Sequence, residues 1–306
     1  MSFELSLNTG TTPNLSLEQA AEAVAEAGLT HIGPWRHLLE QAGGAQRSAA
    51  IIAAAGLTAT TLCRGGFLTP ADAPGRRAAL ESNRAAIREA AMIGTAELIM
   101  VVGGLPAAAH LIDGRGDAVE QSIADKDILG ARERVAEGIA ELVPYAAEHG
   151  VRLVLEPLHP MYAADRAVLS TLGEALDLAA PHPAQTVGVV LDTFHVWWDP
   201  QLREMIARAG AEHRIASYQV CDFNLPLAAD ALKSRGMMGD GYVDFPTISR
   251  WVAEAGYTGP VEVEIFNQQI NDQDAAITLE TMKQRFAQLV LPALKGARPA
   301  AEAPVR

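Results

Sequence analysis

The sequence predicts one α/β domain, a single (β/α)8 barrel with a metal site at the C-terminal mouth of its strands. Three observations predict it. Short β-type runs alternate with longer Ala/Leu/Glu/Arg-rich helical stretches along 306 residues, and such alternation builds a parallel sheet with helices outside. The alternation repeats about eight times, which favours closure into a barrel over an open sheet. Three runs end on an acid, Val151–Glu156 (VRLVLE), Val187–Asp192 (VGVVLD) and Val261–Glu264 (VEVE), and a fourth, Ile215–Asp222 (IASYQVCD), ends on polar groups.

The expected strands are Phe3–Leu7, Thr30–Ile32, Thr58–Leu62, Glu97–Val102, Arg152–Glu156, Gly188–Asp192, Ala216–Cys221 and Val261–Ile265. Between them the helical stretches are Leu17–Ala27, Arg36–Ala55, Gly75–Ile93, Asp125–His149, Leu172–Ala180, Gln201–Ala209, Phe245–Ala255 and Asp274–Leu291. Ser16 stands as N-cap before a first turn containing Glu18, and Asn271–Asp274 precedes the last apolar-periodic run. Gly150 and Gly256 sit where helices must stop before the next strand. The alternative, an open doubly wound sheet, lacks its phosphate fingerprint, since Gly10 stands alone after the first strand. Residues 1–294 are read as the barrel and 295–306, rich in Pro and Ala, as a disordered tail. Two loops, Gly103–Lys126 and Asp222–Asp244, exceed the usual βα length, as lids and binding loops do.

Composition narrows the function. The chain is 49% hydrophobic, enough for one large core, and 24 Lys/Arg against 37 Asp/Glu leave a net charge of −13. A body this acidic repels phosphate backbones and anionic membranes, so neither nucleic acid nor membrane is expected as a partner. Only Cys63 and Cys221 are present, which excludes a disulfide scaffold and fits a reducing compartment. The N-terminus carries no basic region followed by an apolar stretch, and no apolar segment approaches ~20 residues. A cytoplasmic location is expected.

Period two decides which strand residues share a face. Arg152, Val154 and Glu156 form one set; Gly188, Val190 and Asp192 another; then Ser217, Gln219 and Cys221, and Glu262 with Glu264. If the last member of each set faces the mouth, Glu156, Asp192, Gln219 and Glu264 converge. Bare carboxylates that close together repel strongly, and a divalent cation resolves the repulsion. Oxygen ligands favour Mn²⁺, with Mg²⁺ or Co²⁺ as alternatives, over the sulfur and imidazole sites of zinc. Glu262 lies one layer deeper and needs a partner, for which Arg152 is a candidate. Earlier strand ends add His31, Trp35 and Arg64 as lining candidates. Trp197 and Trp198 fit equally a sugar face or plain packing. Gly239-Asp240-Gly241 is too short for a phosphate cradle, and Asp240 would repel phosphate.

The segments LEPLHP, LDTFHVWWDP, YQVCDFN followed by MMGDGYVDFPTI, and GPVEVEIFN resemble the xylose isomerase-like barrel proteins, the sugar phosphate isomerase/epimerase group. The layout matches over about residues 1–290, the specific motifs over 150–267. The resemblance implies that Glu156, Asp192 and Glu264 are metal carboxylates. Gln219 stands where most members have the His ligand of an H-x-K-D run, and Cys221 where they have its Lys. His195 matches a substrate-contacting His, and Arg235 a substrate-binding Arg before the Gly-Asp-Gly loop. His159 overhangs the mouth, where many members have a different polar residue.

The resemblance further implies a metal-dependent isomerase or epimerase of a non-phosphorylated sugar, inositol derivative or keto-sugar. A proton α to a carbonyl would leave through an enediolate, with Glu156 and Glu264 as acid/base pair, and His195 and Arg235 would orient hydroxyls. The second reading is a lyase or dehydratase acting on an inosose or 3-keto-glycoside, including C-glycoside cleavage with a small partner subunit; His159, as a catalytic group, favours it. A homo-oligomer is expected. DNA repair, a third class on this barrel, needs a His-rich zinc cage and a basic groove, which a chain of net charge −13 does not offer. A catalytically dead sugar-binding protein is the fourth.

Overall fold

The computed structural model describes residues 3–105 and 126–296. Much of the Gly103–Lys126 loop, and residues 297–306 of the expected tail, lie outside the described residues. The strands run β1 (Leu5–Asn8), β2 (His31–Gly33), β3 (Thr58–Ala59), β4 (Leu62–Gly66), β5 (Glu97–Val101), β6 (Arg152–Leu155), β7 (Val187–Asp192) and β8 (Ile215–Gln219). A short antiparallel pair follows, β9 (Asp222–Phe223) with β10 (Arg235–Gly236), and then β11 (Val261–Val263). Nine of these form one sheet in the order β3-β2-β1-β11-β8-β7-β6-β5-β4, and every pairing within it is parallel.

The two ends of that order, β3 and β4, are consecutive in the chain, so the ring closes through the backbone itself. They are the two halves of the single third strand expected at Thr58–Leu62. The break falls at Thr60-Thr61, and both hydroxyls donate to the Glu262 carboxylate. Successive strand residues face opposite ways, so two neighbours reaching one inward carboxylate require the pleat to be interrupted. Past the break, the Cys63 amide bonds the Pro34 carbonyl, which ties β4 to the chain beyond β2.

Helices fill the connections: α1 (Leu17–Glu26), α2 (Arg36–Gln41), α3 (Ala45–Ala54), α4 (Ala73–Ile93), α5 (Ile128–Glu148), α6 (Leu172–Ala179), α7 (Thr193–Val196), α8 (Leu202–Ala211), α9 (Phe245–Glu254), α10 (Gln268–Asn271), α11 (Ala275–Arg285) and α12 (Leu291–Gly296). Ser16 forms a full capping box with Gln19, and Asp274 caps α11. Gly150 and Gly256, at positive φ, end their helices as expected. The expected helix 36–55 is two, parted at Gly43-Gly44, and the last one is interrupted by a π turn at Phe286–Val290. Pro292 lies just beyond that turn and has no N–H for the carbonyl four residues back, so the ladder loosens there. No described helix is long and apolar enough to cross a membrane.

Inside the barrel, Cys63, Ile99, Val154 and Val190 form an apolar plug against Trp35 and Ala216. Period two places Glu156 and Asp192 above that plug and Glu97, Arg152 and Gly188 below it. Arg152 therefore pairs with Glu97, its register neighbour, at 3.9 Å; the expected pairing with Glu262 does not form.

Burial pushes the Glu97 carboxyl up to about 7, and Arg152 only partly opposes it. A carboxyl raised in the folded state binds its proton there more readily than in the unfolded chain. Its stabilising contribution is therefore present below about pH 4.5 and lost as pH rises through 7. Glu97→Gln should gain stability over wild type between those limits, and equal melting temperatures at pH 5 and pH 8 would contradict this.

Candidate active site

The chain delivers its acids where the parallel strands end. Asp192 closes β7, in register with Gln219 at the end of β8, and Gln219 pairs in turn with Glu262 in β11. Glu156 follows β6 and Glu264 follows β11. Each of these five side chains is buried.

The centre of the site is Arg235, 2% exposed. Its Nη1 donates to Asp192 Oδ2 at 2.9 Å, to Glu264 Oε2 at 3.2 Å and to the Glu264 carbonyl at 3.1 Å. Nη2 lies 2.9 Å from His195 Nε2, and the guanidinium packs between the Phe194 and Phe266 rings. A hairpin holds it there. Asp222 accepts hydrogen bonds from the amides of Phe223, Gly239, Gly241 and Val243, gathering the 222–244 loop around one carboxylate. The β9–β10 pairing and a bond from Asn267 to the Arg235 carbonyl then fix the backbone of the arginine itself. The Gly-Asp-Gly amides thus serve an internal carboxylate, and Asp240 pairs with Arg285.

Glu156, Asp192 and His195 place ligand atoms within 4.8 Å of one another, a grouping able to hold a metal ion. Glu264 falls outside this group; its link to Asp192 runs through the shared Arg235 nitrogen. Gln219 turns its amide down, with Nε2 donating to Glu262 Oε1 at 3.1 Å, while its Oε1 is buried without a partner. An amide oriented by a carboxylate behind it presents its oxygen the other way, as a second-shell acid orients a metal ligand. That orphaned oxygen and the Glu156–Asp192–His195 group fit a divalent ion, with Arg235 as the cation that competes for Asp192. Glu262 is satisfied by neutral donors, Asn8, Thr60, Thr61 and Gln219. Asn8 also accepts from Trp35 Nε1, which donates at 3.0 Å to Glu264 Oε1 as well.

Burial dominates the electrostatics. It raises Glu156 well above the usual carboxyl range, with Glu264 and Asp192 adding repulsion. Glu264 is pushed up to about 7 by burial, with Arg235 opposing. Burial, then Arg235, holds His195 well below its ordinary value, so the ring is neutral. Its Nδ1 faces the His159 amide and its Nε2 faces Arg235. Both are donors, and a neutral imidazole accepts at only one nitrogen.

Most of the residues read from the sequence meet around one cavity at the mouth of the barrel. Trp35, Arg64, Glu156, His195, Arg235 and Glu264 line it. Two do not. His31 opens β2 and so sits at the opposite end of the barrel, bonded to Thr30. His159 stacks on Phe223 and supports His195 with its backbone amide, behind the cavity wall. Trp198 bonds the His195 carbonyl and Trp197 packs on Phe223, so neither faces the cavity. The lining that sequence reasoning missed includes Phe67, Phe266 and Arg166. Arg166 had a signal, the long connection after Glu156; Phe266 lay within the quoted GPVEVEIFN motif.

Comparison with known proteins agrees with this layout. A family model described as a xylose isomerase-like TIM barrel matches residues 21–285. A crystal structure of a Sinorhizobium meliloti 1021 protein is 41% identical, covers 93% of this chain and 98% of that one, and superposes with a TM-score of 0.84. The IolI protein, solved with a zinc atom, is 19% identical over 95% of this chain and 99% of that one, with a TM-score of 0.78, a likeness of fold. Over 173 residues the chain is 25% identical to an inosose isomerase of Bacillus licheniformis; the match spans 56% of this chain and 59% of that relative.

Removing the Asp222 carboxylate leaves four backbone amides without an acceptor. Asp222→Ala should speed hydrogen exchange at residues 235–243 by at least about tenfold, since a lost buried hydrogen bond to a charge is worth about 1.5–3 kcal/mol. Unchanged protection there would show that the loop is held by other contacts.

Proposed function

Because the chain belongs to the xylose isomerase-like TIM-barrel family, we propose that it is a metal-dependent sugar isomerase or epimerase. Its substrate on this reading is a non-phosphorylated sugar, inositol derivative or keto-sugar. The observation that carries the reading is a pair of buried carboxyls, Glu156 and Glu264, lining one cavity, both with proton affinities raised by burial and Glu264 pushed up to about 7. A general acid or base works best when its pKa lies near the working pH. Moving a proton at a carbon α to a carbonyl needs one such group to remove it and another to return it.

Glu264 is the better placed base. Trp35 and Arg235 fix both its oxygens and stabilise its ionised form. Glu156, raised by burial and by repulsion from Glu264 and Asp192, is the partner that returns the proton. Arg235 brings positive charge to the cavity wall, where oxygens of an enediolate gain negative charge. His195, held neutral by burial, supplies the nitrogen of the group that would take the ion, 3.9 Å from Glu156 and 3.8 Å from Asp192. A divalent ion held by Glu156, Asp192 and His195, with Gln219 Oε1 as a further oxygen, supplies Lewis-acid polarisation of the carbonyl when bound. Mn²⁺ is our first choice because oxygens dominate the set, with Mg²⁺ and Co²⁺ next. The inosose isomerase of the matched relative fits this substrate class. Expulsion of a group β to the carbonyl would use the same acids and differ in releasing water or an aglycone.

Incubating the full chain with ketoses, inososes and 3-keto-glycosides in D₂O with Mn²⁺ tests the proposal. Deuterium entering a substrate carbon without mass loss supports it; release of water or aglycone favours the lyase, and no exchange with any substrate refutes both. Glu156→Gln and Glu264→Gln should each slow exchange by about 10² or more, and full retention in both would refute the acid/base pair. Gln219→His should tighten Mn²⁺ about tenfold by calorimetry, an imidazole being the stronger ligand; unchanged affinity would place residue 219 outside the ligand set.

A further inference from the structure

One guanidinium in the described part of the cavity touches no carboxylate there directly; Glu156 and Glu264 act on it only at a distance. Arg64 lines the same cavity as Glu156, Glu264 and Arg235. Its Cζ lies 4.2 Å from the centre of the Phe67 ring and 5.6 Å from that of Trp35. No hydrogen bond or ion pair links it to any described residue. The contrast with its neighbours is sharp: Arg235 contacts Asp192 and Glu264, while Arg166, also in the lining, pairs with Asp165 at 3.3 Å and Asp230 at 3.0 Å. Ring contacts orient a guanidinium without neutralising it. The planar fork of Arg64 is thus held in place with its donors unspent, and such a fork matches the two oxygens of an oxyacid.

We infer that the substrate carries a carboxylate and that Arg64 is the residue that selects it. The inference rests on the isomerase/epimerase reading of this site and narrows its substrate to a sugar acid. Trp35 relates the anchor to the reacting carbon: Arg64 lies over its ring, while its Nε1 holds Glu264. A chain of several carbons, acid at one end and carbonyl at the other, spans the two. A carboxylate suits the site better than a phosphate monoester. One guanidinium without a direct partner among the described residues matches a single negative charge, Arg166 is already paired with Asp165 and Asp230, and the adjoining walls, Phe67, Ile99, Val101 and Leu158, are apolar. Glu156 and Glu264 at the floor would also repel a dianion more than a monoanion.

Calorimetric titration of the full chain with D-fructuronate, D-fructose and D-fructose 6-phosphate tests this, alongside solvent-deuterium exchange into each sugar. The acid should bind at least about tenfold tighter than D-fructose, the worth of one charge-assisted hydrogen-bond pair. Arg64→Gln should erase that preference, so that acid and D-fructose bind alike, with the melting temperature nearly unchanged, and Arg64→Lys should recover part of it. Equal affinity for acid and neutral sugar, a preference that survives Arg64→Gln, or tightest binding of the phosphate ester would each overturn the inference. Exchange into neutral sugars with no preference for the acid overturns this inference alone; the isomerase reading falls only if the full panel of ketoses, inososes and 3-keto-glycosides also shows no exchange.

Discussion

One contact organises the mouth of this barrel: the Arg235 guanidinium set against Asp192, Glu264 and His195. Three carboxyls and an imidazole crowd there out of water, and burying such groups without compensation costs several kcal/mol each. Arg235 meets part of that cost with direct hydrogen bonds to two of the acids, and the raised proton affinity of Glu156 meets more. The hairpin that carries the arginine, gathered around Asp222, follows from the same need. A cation on a loose loop would lose conformational entropy at every visit; four amides bonded to one carboxylate hold it in place beforehand.

Beneath that layer the problem is solved differently. Glu262 meets no cation among the described residues and takes its donors from Asn8, Thr60, Thr61 and Gln219. The consequences run upward. Thr60 and Thr61 break the third strand to reach it, Asn8 bridges it to Trp35 and so to Glu264, and Gln219, with its NH₂ end committed below, is left with an unpaired oxygen. A residue that touches no cavity wall thus sets the orientation of two that bear on the chemistry. Further down, the apolar plug separates these acids from the Glu97–Arg152 pair.

The strands that could be read most surely were those buried on both faces and ending in an acid, and their period-two sets hold: Val154 and Val190 point inward beneath Glu156 and Asp192. His195, Arg235, Trp35 and Arg64 were also legible, through motif or strand-end position. His31 was misplaced because three residues cannot reveal which end of a strand faces the mouth. His159 was close in the chain but turned away by its stacking on Phe223, an aromatic from a hairpin 64 positions on that local pattern does not see. The split strand was hidden because Glu262, which draws both threonines inward, lies some 200 residues further along.

What the order of residues determined alone is the alternation of strand and helix, the period of each, and the acids placed at strand ends, because these depend on neighbours within a few positions. The folded chain decided the rest: that Arg235 stands among the acids, that Gln219 turns its amide toward Glu262, and that Arg64 makes no hydrogen bond or ion pair with a described residue. Each of these is a balance of charge and desolvation between side chains from different strands. Such a balance exists only once the ring has closed and water has been excluded from its mouth.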